Sequence, residues 1–342
     1  MTKTNNALKL TRRTALAGAA ALPLFGILTR RAQAAEFTYK MATGQAPSHP
    51  VNKRAQQAID RIAKNSDGRI KIDLFPAAQL GTDAQLISQV RIGGVQFINM
   101  ASSVLATYVP AAGVVNTGFA FNGYDQVWQA MDGALGKYIG QSIDRAGLTM
   151  IGRSWDNGFR QITTSTKPIK SPEDLKNFKI RVPPAPILTS LFAALGASPT
   201  PIDFSEVYTA LQTHLVDGQE NPLPIIATAK LYEVQKYCSL TGHVWDGYLI
   251  LGNPAALNRL PADMKAMVIH EFDQAGKDER ADIAALSKSL QADMTAKGLQ
   301  FVDVDKANFR AALAKTDFYP HWKAKFSDQA WSLLESVSGK LG

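Results

Sequence analysis

Residues 171–184 read SPEDLKNFKIRVPP, a helix start, a strand and a stop in one short run. Ser171 is an N-cap, Pro172 suits the first helical position, and Glu173 and Asp174 put acids in the first turn. Residues 179–182 then alternate, sending Ile180 and Val182 to one face and Lys179 and Arg181 to the other, as a strand does. Pro183-Pro184 ends the strand, because proline cannot donate to a ladder. Helices are expected over 186–195 and 204–216, the second opened by Asp203 with Glu206 three residues on. Strands feeding helices in this way indicate an α/β protein.

The same grammar runs outward on both sides. Strands are expected at 37–41, 69–75, 95–101, 148–155 and 159–164, with helices at 51–64, 82–92 and 126–145. Downstream, 237–240 and 248–251 read as strands, followed late in the chain by 299–304 and two terminal helices. Residues 262–297 contain no proline and one glycine, Gly276. As one helix they span ~54 Å, more than the width of a ~150-residue domain. A helix crossing both domains is the preferred reading, and two helices broken at Gly276 the alternative. A chain of 342 residues is long enough for two domains.

Composition narrows the function. Hydrophobic residues make up 46% and charged residues 19%, so the chain can bury a core and is not disordered. The single cysteine, Cys238, excludes an internal disulfide, a CxxC redox pair and a cysteine zinc site. The formal charge of +8 invites a polyanion partner, but its position argues otherwise. Lys3, Lys9, Arg12, Arg13, Arg30 and Arg31 all precede the first acid, Glu36. Between them lies ALAGAAALPLFGIL, 14 residues interrupted by Pro23 and shorter than the ~20 that span a membrane. Ala32-Gln33-Ala34 is a small-x-small cleavage site. Residues 1–35 thus read as a signal peptide, cleaved near Ala34 or Ala35, for a periplasmic protein. Thr11-Arg12-Arg13 favours the twin-arginine route, while Ala15, where a bulky residue is usual, keeps the Sec route open. The remaining chain has 31 basic and 29 acidic residues, a net charge of +2, and no Lys/Arg run. Nucleic-acid binding loses its support.

Catalytic motifs are incomplete. His270-Glu271 lacks the second histidine of a zincin, Gly152–Asp156 lacks the closing glycine of a nucleophile elbow, and Gly136-Lys137-Tyr138 lacks the P-loop hydroxyl. His49, His214, His243, His270 and His321 are scattered, with capping or solvated roles as the default. No metal and no cofactor are expected. An exported enzyme stays open, with His243 and Asp246 as its local acid–base pair.

Five segments together carry a stronger signal: Arg160-Gln161, residues 171–184, LGASPTPIDFSEVYTALQT at 195–213, VDGQENP at 216–222 and KLYEVQKY at 230–237. In this order they resemble the solute-binding proteins of tripartite ATP-independent periplasmic (TRAP) transporters. The match is densest over 158–245, with agreement in spacing over the rest of the mature chain. The resemblance implies a two-lobe periplasmic-binding-protein fold of class α/β, with a long helix spanning both lobes. Lobe I would hold 36–157 and about 247–285, and lobe II 158–246 and about 286–342. The implied role is capture of an organic acid anion for integral-membrane permease subunits, by a monomer that is not an enzyme and binds no nucleic acid.

On periodicity alone Arg181 reads first as a solvated surface residue, the more common role of a strand arginine, although its place beside the strand end lets it face a cleft. A guanidinium offers a planar fork that matches a carboxylate. The resemblance makes Arg181 the carboxylate clamp, Arg160 a second arginine contact, Asn221 an amide donor to the same oxygens, and Phe204 an aromatic against the ligand. Their structural alternatives are a surface salt bridge, a turn before Pro222 and a core position. Sialic-acid binders are similar in the arginine region, but Met41-Ala42, Ala101 and Val104 stand where they place polar residues. The remaining cleft candidates are Trp155, Trp245, Asp156, Asp246, Ser102 and Ser103. Two tryptophans beside one arginine clamp favour a small monocarboxylate, whether aromatic, hydroxy or keto acid. A C4-dicarboxylate, which needs a second cation such as Arg153, a sugar acid, and a sensor-associated binding protein are the alternatives.

Overall fold

A single strand joins the two halves of the molecule's sheet. The computed structural model describes residues 1–2 and 34–342, so residues 3–33 of the expected export signal lie outside the described residues. The strands are β1 (Phe37–Ala42), β2 (Ile70–Phe75), β3 (Phe97–Ala101), β4 (Thr149–Met150), β5 (Trp155–Thr164) and β6 (Lys179–Val182). They continue as β7 (Ser198–Pro201), β8 (Gly218–Pro222), β9 (Tyr237–Ser239), β10 (Trp245–Gly252) and β11 (Gln300–Val302). The order is β2-β1-β3-β10-β5-β8-β6-β7, with β4 on β10, β9 on β5 and β11 on β9.

In the first half, β1 runs parallel to β2 and β3, and β10 returns antiparallel against β3 with Tyr248 opposite Ala101. The start of β5 pairs with β10, Trp155 opposite Tyr248. From Arg160 onward β5 instead pairs with β8 and β9, and β6 lies parallel between β7 and β8. The changeover falls at Phe159-Arg160, where Trp245 also begins β10.

The expected α/β layering and the long helix are both present. Ala262–Ala296 is continuous over 35 residues. It packs on the helix Pro50–Asn65, crosses β5, and reaches the helix Leu223–Thr228 and β11 in the second half. Ion pairs fix it to its neighbours: Arg54 to Asp282 at 2.7 Å, Arg153 to Asp273 at 2.9 Å and Arg280 to Asp132 at 2.7 Å. Gly276 causes no break. A Cβ there would lie 2.7 Å from Trp155 Nε1, so the glycine permits a close approach of helix to strand.

Several local expectations need correction. The stretch 126–145 is two helices, Tyr124–Met131 and Ala134–Arg145, because the chain turns tightly at Gly133, where a Cβ would sit 2.4 Å from the Gln129 carbonyl oxygen. Strands 148–155 and 159–164 resolve into the two-residue β4 and the ten-residue β5. The helix start at Ser171 is a short 3-10 turn with a complete capping box, and 204–216 shortens to a 3-10 turn followed by Val207–Gln212. Three helices, not two, close the chain: Lys306–Ala314, Phe318–Lys325 and Asp328–Ser338.

Apolar side chains gather accordingly. One core lies between the first half of the sheet and its two long helices, with Tyr39, Phe97, Trp155, Tyr248 and Phe272. Another fills the second half around Val207, Leu211, Cys238, Met294 and Leu299. Phe204 packs against both.

Candidate ligand-binding site

Alternation on β6 buries Ile180 and Val182 in the core and turns Arg181 the other way. Arg181 is nonetheless only 1% exposed. Its Nε and Nη2 both donate to the Ile202 carbonyl oxygen, at 2.9 and 2.7 Å. It makes no ion pair among the described residues, and its Nη1 has no hydrogen-bond partner there. Burial pushes its pKa down to about 10 against the pull of Glu220, Asp83 and Asp203. An arginine remains charged at that value. A buried cation without a counter-ion is costly, and an anion at Nη1 and Nη2 relieves that cost.

Arg160, on β5, is the opposite case. Its Nε and Nη2 fork onto the Glu220 carboxylate, Nη2 also reaches the Glu220 carbonyl at 2.8 Å and Asn221 Oδ1 at 3.1 Å, and Nη1 meets Asp246 Oδ2 at 3.1 Å. Burial alone lowers its pKa, but Glu220 and Asp246 hold it above the usual arginine value. Burial likewise pushes Glu220 up, yet Arg160 and His243 hold its carboxyl below the usual range. His243 Nε2 lies 3.0 Å from Glu220 Oε2, and its Nδ1 pairs with Thr241 Oγ1 at 2.8 Å. The expected His243–Asp246 pairing is therefore replaced by His243–Glu220. Asn221 donates its amide to Gln219 Oε1 and accepts from Arg160.

Asp246 is saturated. It accepts from Ser102 Oγ at 2.7 Å, Ser103 Oγ at 2.6 Å, the Ser103 amide, Asn116 Nδ2 and Arg160. Trp245 donates its indole N–H to Asp156 Oδ1 at 2.9 Å, and its ring meets Phe121 and Trp128 edge-on. Burial pushes Asp156 up to about 7, against the Trp245 and Tyr124 hydrogen bonds. Trp155 faces the other way, fully buried in the core beneath the long helix and so outside a cleft, and its indole N–H has no partner among the described residues. Arg153 is held by Asp273 through three hydrogen bonds and supplies no spare cation.

The DctP family, described as bacterial extracellular solute-binding protein, family 7, matches residues 41–324. The chain belongs to this family. It is 31% identical over 295 residues to the 2,3-diketo-L-gulonate-binding periplasmic protein of Escherichia coli, covering 86% of this chain and 88% of that one. Among solved structures it resembles a TRAP periplasmic solute-binding protein from Sulfurospirillum deleyianum with bound succinate. That match has TM-score 0.84, 28% identity, and covers 89% of this chain and 99% of the other. A second, from Polaromonas sp. JS666 bound to D-erythronate, has TM-score 0.84, 28% identity, and covers 89% and 100%. The two-lobe TRAP fold and a role in organic-acid transport follow.

In this TRAP solute-binding protein the residues singled out in sequence separate into two groups. Arg160, Asn221, Trp245, Asp156, Asp246, Ser102 and Ser103 satisfy one another or other protein groups. Arg181, Trp155 and Phe204 keep unused chemistry or bridge both cores. Sequence reasoning missed Asp83, Asn99 and Tyr248, and left His49 among the default histidines. His49 does cap the helix Pro50–Asn65, its Nδ1 accepting from the Val51 amide, a role legible in the His-Pro pair.

Proposed function

We propose that this chain is exported to the periplasm, captures an organic acid through its carboxylate on Arg181, and delivers it to the membrane permease of a TRAP transporter. The observation that carries this reading is Arg181 itself, buried, cationic and without a counter-ion. Arg160 acts as a positioning group, fixing Asn221 and Glu220 beside the clamp. Lobe I (36–157 and about 247–285) closes on lobe II (158–246 and about 286–342) about β5 and β10, favoured because a bound ligand contacts both. The protein works as a monomeric binder with no catalytic step, since the His243 ring is occupied by Glu220 and Thr241.

The ligand is a small monocarboxylate. Trp245 is committed to Asp156 and the Phe121–Trp128 cluster, and Trp155 is buried beneath the long helix, so the expected aromatic walls reduce to Phe204. That weakens an aromatic acid and favours a hydroxy or sugar acid, in keeping with relatives named for D-erythronate and 2,3-diketo-L-gulonate. Titration calorimetry of the purified mature chain with an organic-acid panel tests the clamp. Arg181→Ala is expected to weaken carboxylate binding at least ~10-fold, the effect of losing a charged hydrogen bond. Equal affinity in the variant would remove Arg181 from the role.

A further inference from the structure

One face of the first half of the sheet carries a surplus of unsatisfied polar groups. His49 Nε2, the Tyr248 hydroxyl and both amide atoms of Asn99 are buried, and none has a partner among the described residues. Native interiors leave few such atoms, because each has lost its hydrogen bonds to water without gaining a partner. Their clustering follows from register. Tyr248 stands opposite Ala101 on β3 and Trp155 on β5, and Asn99, two residues from Ala101, shares that face. The His49 ring meets the Tyr248 ring edge-on, with centroids 5.9 Å apart.

The same face adjoins the clamp. Phe204, two residues beyond the Ile202 carbonyl that Arg181 grips, packs against the core containing Tyr248 and Trp155. Asp83, which begins the helix Asp83–Ile92, has no ion pair among the described residues, and its amide donates to Asp203 Oδ2 at 3.3 Å across the two halves. The charge of Asp83 acts on both Arg181 and Tyr248.

The chemistry of the set is specific. His49 Nδ1 already accepts from Val51, so Nε2 carries the proton and donates; burial keeps the ring neutral, with its pKa lowered to about 3. Tyr248 and Asn99 both donate and accept. An alcohol both donates and accepts, so it matches this wall. A second carboxylate only accepts and meets Asp83, while an alkyl chain leaves every group unpaired.

We propose that the ligand is a polyhydroxylated monocarboxylate whose hydroxyls are recognised by His49, Asn99 and Tyr248 while Arg181 holds its carboxylate. This rests on the carboxylate reading above. Calorimetry on the mature chain compares erythronate, xylonate, gluconate and glucuronate with butyrate, hexanoate, succinate and glutarate. At least one hydroxylated acid is expected to bind at least ~10-fold more tightly than any unhydroxylated one. Tyr248→Phe is expected to cost that acid about 3- to 10-fold in affinity. It is also expected to leave the melting temperature of the ligand-free protein unchanged or raised, because it deletes a group that was unpaired. A structural hydroxyl would instead lower that temperature. His49→Gln, which keeps a donor, is expected to bind better than His49→Ala. Preference for butyrate, hexanoate or a dicarboxylate, with Arg181→Ala still damaging, would overturn this proposal and leave the clamp standing. Carboxylate binding indifferent to Arg181, or no binding by any acid, would overturn both.

Discussion

Gly276→Ala tests the packing of the long helix on the strand that joins the two halves. In a free helix interior the change is favourable by ~1 kcal/mol, because alanine loses less backbone entropy than glycine. Here the new methyl would lie 2.7 Å from Trp155 Nε1, 2.8 Å from its Cδ1 and 3.2 Å from Arg153 Cγ. The Arg153 stem is partly exposed and can move. Trp155 cannot retreat, since it is fully buried and fixed in register opposite Tyr248. Overpacking a filled core costs ~1–3 kcal/mol, so the net expectation is a loss of about 1 kcal/mol. That corresponds to a fall of ~1–2 °C in melting temperature for a folded body of this size. Urea unfolding should show a lower midpoint at unchanged slope, and adding Trp155→Phe should recover part of the loss as a coupling between the two positions. A Gly276→Ala protein more stable than the parent would refute the reasoning: the helix would then pass Trp155 with room to spare.

Two further expectations concern buried charge. Glu220→Gln leaves Arg160 with Asp246 as its one carboxylate in the interior, and urea unfolding should show a loss of ~3–5 kcal/mol; a loss under ~1 kcal/mol would mean that the network is not what stabilises this junction. Burial raises Asp156 from 3.8 to about 7, and the neighbouring Glu279 is raised as well, chiefly by burial and then by Asp156. The folded chain then keeps protons that the unfolded chain releases, so stability should fall as pH rises from ~4, and the part due to Asp156 should level off above about 7. Asp156→Asn should flatten part of that slope, and an unchanged profile would show that Asp156 ionises freely.

The sequence was legible where its signals are local. Ser171 with Asp174, and Pro183 after Val182, mark their boundaries within a few residues, and β6 lies where they say. Strands β7 and β8 escaped because neither has an apolar rhythm: one is Ser-Pro-Thr-Pro, the other Gly-Gln-Glu-Asn-Pro, a buried strand whose polar side chains are satisfied by one another and by β5. The site was legible as residue types but not as pairings. Arg160 and Arg181 look alike on paper, yet Arg160 pairs with carboxylates 60 and 86 residues away, whereas Arg181 makes no ion pair among the described residues. Trp245 and Asp156, both read as open to a cleft, satisfy each other.

The shared sheet also sets an order of assembly. β3 ends at Ala101, but its antiparallel neighbour is β10, and Ser102 waits for Asp246, 144 residues further on. Until Trp245–Gly252 has been synthesised, β3 keeps one side without its ladder, and such an edge is open to the wrong strand. Contacts this distant in sequence also form slowly. The first half therefore cannot complete its sheet as an autonomous early unit, and it stays unfinished until most of the chain exists.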